Sequence, residues 1–211
     1  MRPRKAGRPL AAQHLAMHPQ QRILIIQGHP DPAGGHFGHA LAEAYASGAC
    51  AAGHEVRVID VAALDFPLLR TKHAWEQGAL PPALLPAQQG VQWAQHLVFF
   101  FPLWLGGMPA LLKGFLEQVA RPGFALALPG TPGPRQLLKG RSARVVVTMG
   151  MPAPLYRWFF AAHDVKALER NILGFVGISP VRRSLIGMVE GDAKRRLAWL
   201  QRLRSLGEKA S

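Results

Sequence analysis

With 211 residues, of which 49% are hydrophobic and 18% charged, the chain has apolar material for one sizeable core, which excludes global disorder. A single cysteine, Cys50, excludes an internal disulfide framework and a cysteine-rich zinc site, and fits a reducing compartment. The formal net charge of +13 is concentrated at the ends, with five bases and no acid in residues 1–22 and eight bases against three acids in residues 182–211. Such ends serve as solvated tails and helix faces, or contact nucleic acid or an anionic membrane surface.

Residues 1–20 hold three prolines and four bases without a periodic apolar pattern, which predicts a disordered basic extension ahead of a domain over 21–211. Met17 offers a second start, leaving 1–16 outside the natural protein. Ile23-Leu24-Ile25-Ile26 is a continuous apolar run, the mark of a strand covered on both faces. A Gly/Pro/His-rich loop follows to about Gly38, then a helix over 39–52 ended by Gly53, then a strand at 56–59. Residues 62–90 are proline-rich and read as an irregular excursion. A third strand spans 96–101, a helix 110–120, a second excursion 121–139, and a fourth strand 144–148. After a loop and aromatic segment over 149–160, a helix near 166–176, a fifth strand at 181–186 and a helix over 193–206 complete the pattern, the last with Leu197, Leu200 and Leu203 facing inward. Strands alternating with helices predict a doubly wound parallel sheet. The longest apolar stretch, Leu97 to Leu112, is broken by Pro102, Gly106, Gly107 and Pro109 and falls short of the roughly 20 residues a membrane span needs. The expected location is the cytoplasm.

In an open α/β sheet ligands bind at the carboxyl ends of the strands, so three loops are expected to meet there. The first, Gly28-His29-Pro30-Asp31-Pro32-Ala33-Gly34-Gly35-His36-Phe37-Gly38, runs into a helix N-terminus. Free N–H groups and the helix dipole favour an anion such as phosphate there, with His29 and His36 as added donors; the alternative is that these residues only shape a tight turn. The second, Pro102-Leu103-Trp104-Leu105-Gly106-Gly107, suits a flat aromatic ligand, or else is a core loop with Trp104 as packing. The third, Thr148-Met149-Gly150-Met151, leads to Tyr156, with His163 seven residues on. Both side chains are candidate donors to a developing negative charge, or else ordinary structural residues. The aromatic cluster 156–160 serves as core, substrate lid or dimer contact.

Together these segments resemble the flavodoxin-like NAD(P)H:quinone oxidoreductase family, which includes mammalian quinone reductases and the ancillary flavoproteins of glutathione-gated potassium efflux systems. The resemblance covers about residues 22–205. Its most specific part is Phe101-Pro102-Leu103 with Gly107-Met108-Pro109-Ala110-Leu111-Leu112-Lys113 and the following helix, joined by the opening Ile-Leu-Ile-Ile-x-Gly-His-Pro and by Thr148-x-Gly150 with Tyr156 in step. It implies a three-layer α/β/α sandwich around a five-stranded parallel sheet of order 2-1-3-4-5, and a flavin, FMN or FAD. By position, His29, Gly35, His36, Phe37 and Gly38 would hold the phosphate, and Pro102, Leu103, Trp104, Leu105 and Gly106 would line the ring. Thr148, Gly150 and Met151 would face its other side, with Tyr156 and His163 near the edge that becomes negative on reduction. The implied reaction passes a hydride from NAD(P)H to flavin and two electrons to a quinone-like acceptor, in a homodimer.

The chain departs from the family pattern at His36-Phe37-Gly38, where Ser/Thr-Phe-Asn is usual, at Trp104-Leu105-Gly106, at the single glycine of Met149-Gly150-Met151, and at His163, one residue late. A second reading is a redox-sensing regulatory subunit of a potassium/proton antiporter, using the basic surface at the inner face of the membrane. A third, zinc-dependent deacetylation, rests on His29-Pro30-Asp31, which is similar to the metal-binding opening of that class but is followed by Pro32-Ala33 rather than acids. No specific nucleic-acid module is present, and no metal site is expected in the main reading.

Overall fold

The computed structural model describes residues 19–128, 130–133 and 135–211. The expected disordered extension therefore lies outside the described residues, apart from Pro19 and Gln20, which carry no helix or strand. Five parallel strands form one sheet in the order β2-β1-β3-β4-β5, as expected. They are β1 (Arg22–Gln27), β2 (Glu55–Asp60), β3 (His96–Pro102), β4 (Ser142–Thr148) and β5 (Val181–Ile186).

The alternation of side chains along each strand divides the core into two layers. Leu24, Ile26, Leu97, Phe99, Phe101, Val145 and Val147 pack on one face with Phe115 and Leu112 of helix α4 (Ala110–Val119). Ile23, Ile25, Val98, Phe100 and Val146 pack on the other face with Tyr45 and Leu203. These two residues belong to α1 (Phe37–Ala51) and α8 (Ala193–Glu208). Strands covered on both faces need no polar alternation, which is why the apolar runs at 23–26 and 97–101 are continuous.

The 62–90 segment is more ordered than its prolines suggest. It contains α2 (Lys72–Glu76) and α3 (Leu85–Trp93), the latter crossing from β2 to β3 with Gly90 against Leu24 and Ile59. Pro86 sits in the first turn of α3, where a missing N–H costs nothing, so the proline marks a helix start. The aromatic segment contains α5 (Ala153–Trp158). The following helix begins three residues before 166, as α6 (His163–Ala167), a π-helical stretch (Leu168–Leu173) and α7 (Gly174–Val176). Helix α8 keeps Leu203 inward and Leu200 partly packed, but Leu197 is 56% exposed because only the middle and end of the helix lie on α1.

Helices α1 and α8 meet backbone to backbone. A Cβ at Gly48 would strike the Arg204 carbonyl, and one at Gly207 would strike the Tyr45 carbonyl. The closeness has a measurable cost when broken: Gly207→Ala should lower unfolding free energy by about 1–3 kcal/mol, the usual range for overpacking, as read by urea titration.

One buried imidazole should shape acid stability. His96, 1% exposed, contacts the Ser142 hydroxyl through Nδ1 at 2.7 Å, while its Nε2 is buried without a partner. Burial, reinforced by the Arg144 charge, pushes its pKa down from 6.5 to about 4. Below pH 6.5 the unfolded chain takes up a proton that the folded chain refuses, so this contribution is complete above 6.5 and is lost as pH falls toward 4. His96→Gln should flatten the stability decline across that window by about 3 kcal/mol in pH-dependent denaturation.

Candidate active site

Strands β1, β3 and β4 end side by side. Gly28 N–H donates to the Phe100 carbonyl at 2.7 Å, and Leu103 N–H to the Thr148 carbonyl at 2.7 Å, so the three loops leave the sheet in register. Between them lies a cavity of about 370 Å³. It is lined by the expected His29, His36, Phe37, Gly38, Pro102, Leu103, Trp104, Thr148 and Gly150.

The first loop is built around histidines. Asp31 N–H donates to His29 Nδ1 at 3.2 Å, which leaves the proton of a neutral imidazole on Nε2. Burial, with the nearby His36 and His39, holds His29 below the usual imidazole range, so the neutral form persists at neutral pH. Its ring stacks on His36 at 3.9 Å, and His36 Nε2 meets Asp31 Oδ2 at 2.7 Å. That hydrogen bond holds the Asp31 carboxyl below its ordinary range. Gly34 and Gly35, at φ of +68° and +73°, let the chain turn into α1 at low cost. The helix starts at Phe37, two residues earlier than its apolar pattern indicated, and has neither a side-chain cap nor an acid in its first turn. Among the described residues the Phe37 and Gly38 amides have no acceptor, while His39 N–H donates to the His36 carbonyl at 2.9 Å, and nothing lies within 4 Å of where a Cβ at Gly38 would be.

The second loop is a two-residue reversal. Trp104 and Gly107 exchange both backbone hydrogen bonds at 2.9 Å, with Leu105 at φ 47° and Gly106 at φ 83°. Positive φ at both central positions is the requirement of a type I′ hairpin turn, and leucine meets it at a cost of about 1–2 kcal/mol. Asp164 holds this turn from behind. Its Oδ2 accepts from Met108 N–H at 2.9 Å, and its carboxylate lies against Gly107. Burial raises the Asp164 pKa against the opposing pull of the Met108 N–H and Lys113.

Six expected residues stand outside the cavity lining: Gly35, Leu105, Gly106, Met151, Tyr156 and His163. Leu105 is fully exposed at the tip of the turn. Tyr156 is 1% exposed behind the second loop, where its hydroxyl donates to the Gly106 carbonyl at 3.4 Å, and burial raises its pKa. His163 is exposed at the start of α6. Sequence reasoning missed Met149, Val189, Glu190, Arg196 and the supporting Asp164. Arg196 reaches over the Phe37 ring at 4.9 Å from α8, and its only sequence signal was membership of the basic closing helix. Among the described residues no three His, Cys, Asp or Glu side chains converge as a metal centre requires, so His29 and Asp31 lack a third ligand for the deacetylase reading.

Comparison with known proteins follows the same outline. A family model described as flavodoxin-like fold matches residues 21–208. Mouse ribosyldihydronicotinamide dehydrogenase [quinone] is 30% identical over 147 residues, covering 65% of this chain and 63% of that protein. An FMN-dependent NADH:quinone oxidoreductase 1 from Jannaschia is 35% identical over 113 residues, covering 53% of this chain and 56% of that protein. The chain thus spans under two thirds of the length of these curated relatives. The NAD(P)H:quinone oxidoreductase of Methanothermobacter marburgensis superposes with a TM-score of 0.71 at 25% identity, covering 90% of this chain and 95% of that one.

Asp164→Ala should free Met108 N–H and loosen the turn at 104–107. Hydrogen exchange at the Met108 amide should accelerate at least about tenfold, the equivalent of one lost charge-assisted hydrogen bond, while the sheet amides keep their protection.

Proposed function

Because the chain belongs to the flavodoxin-like fold family, we propose that it is a flavin-dependent NAD(P)H oxidoreductase of the quinone-reductase type. The observation that carries this reading is the uncapped start of α1, where Phe37 and Gly38 line a cavity with His29, His36 and Arg196 at the ends of β1, β3 and β4. Uncapped N–H groups, the neutral His29 imidazole with the His36 ring beside it, and one guanidinium fit a phosphate monoester. The open space at Gly38 and Gly150 lets backbone approach a flat ring where a Cβ would intrude. The residues present therefore fit a flavin.

When bound, flavin supplies the two-electron relay between NAD(P)H and a quinone acceptor. The chain's own residues bind and orient. His29 Nε2–H and the Phe37 and Gly38 amides would anchor the phosphate, with Arg196 balancing its charge. Trp104 and Leu103 would cover the ring, and Thr148 and Gly150 would approach its polar edge. We assign Tyr156 a positioning role, since it holds the Gly106 carbonyl from behind while burial keeps its proton in place. Exposed Phe159 and Phe160, at 76% and 46%, support a homodimer that covers them. Among the described residues no helix is long and apolar enough to cross a membrane. We place the protein in the cytoplasm, where its basic surface would be the contact for any antiporter partner.

Titration of the purified chain with FMN and FAD should yield a yellow protein with at least one of them, and NAD(P)H with a quinone should then turn over with ping-pong kinetics. Gly35→Glu, which adds an anion at a positive-φ position of the phosphate loop, should lower flavin retention at least about a hundredfold by repulsion and backbone strain. Failure to bind either flavin would overturn the assignment.

A further inference from the structure

A second cavity, of about 660 Å³, runs along the outer edge of the sheet beside β5. It shares no lining residue with the cavity at the strand ends. Its walls carry five arginines, Arg144, Arg157, Arg182, Arg183 and Arg202, and no aspartate or glutamate. Arg144 and Arg182 are register partners on β4 and β5, and Arg202 reaches the cavity from α8. Arg144 is only 6% exposed, and its guanidinium donates to the Ser184 hydroxyl at 2.8 Å and to the main-chain oxygen of Ser211. Among the described residues only Arg183 of the five has an acidic side chain within 4 Å, namely Glu169 at 3.3 Å.

Four guanidinium groups gathered with no acidic side chain in the lining repel one another, and the main-chain oxygen of Ser211 meets Arg144 alone. Burial and the charges of Arg182 and Arg202 all draw the Arg144 pKa down. Such a cluster is relieved by an anion, and the planar fork of arginine matches phosphate oxygens in pairs. Two indoles share the cavity. Arg202 already lies over Trp199 at 5.0 Å, whereas Trp158 is 75% exposed and offers an uncovered ring beside the arginines. A flat base stacks on such a ring with modest dependence on its identity. The volume lies within the roughly 300–1,000 Å³ typical of small-molecule sites.

We propose that this edge cavity is a binding site for a nucleoside phosphate, with the phosphates held among Arg157, Arg182 and Arg202 and the base stacked on Trp158. The site is separate from flavin chemistry and stands whether or not the oxidoreductase reading holds. Its test is calorimetric titration of the full chain with ADP and with inorganic pyrophosphate. ADP should bind with a stoichiometry of one, and more weakly as salt rises. The double variant R182Q/R202Q should weaken ADP at least about tenfold, as expected for lost charge-assisted hydrogen bonds. W158L should weaken ADP and leave pyrophosphate unchanged. Flavin affinity should be unaltered in both variants. Four results would overturn the proposal: no ADP binding, ADP binding indifferent to R182Q/R202Q, displacement of ADP by FMN, or binding of a single-stranded oligonucleotide alone.

Discussion

A parallel sheet collects the carboxyl ends of all its strands on one side, and every functional feature at the strand ends depends on that constraint. The hydrogen bonds Gly28 to Phe100 and Leu103 to Thr148 set the loops in register before any side chain acts. Three segments far apart in sequence then surround one cavity, and the first turn of α1 delivers its free amides into it. Electrostatics follows from backbone geometry here: a helix that begins without a cap sets the positive end of its dipole at the cavity.

Support behind that surface is asymmetric. The first loop is a network of imidazoles and one carboxylate, stiffened by the Asp31–His36 pair and the stacked His29 and His36 rings. The second is a strained reversal held from the rear by Asp164 and Tyr156. Strain at Leu105 persists only because the paired hydrogen bonds of Trp104 and Gly107 over-determine the turn. The cavity is thus bordered by two kinds of rigidity, one polar and one conformational.

The buried strands were legible because an unbroken apolar run of four to six residues between turn signals suits a strand covered on both faces and little else. The three loops were legible because Gly and Pro cluster where strands end. The helix at 85–93 was hidden because proline reads as a breaker, although in a first turn it is harmless. Arg196 and Asp164 were hidden for another reason. Each comes from a distant element, and a lone arginine in a basic helix or a lone aspartate shortly after two alanines has no local signature. Tyr156 was legible as a residue near the loops, but its direction was not; only packing decides that its hydroxyl reaches the Gly106 carbonyl behind the turn.

Helix α8 threads past both cavities, presenting Arg196 to one and Arg202 to the other. Those six positions span about 9 Å along the axis. Because Gly48 and Gly207 let α1 and α8 touch main chain to main chain, neither rod has slack to slide or roll. The backbone positions that carry the two arginines are consequently fixed against α1, so neither cavity wall can move along the rod without breaking that seam.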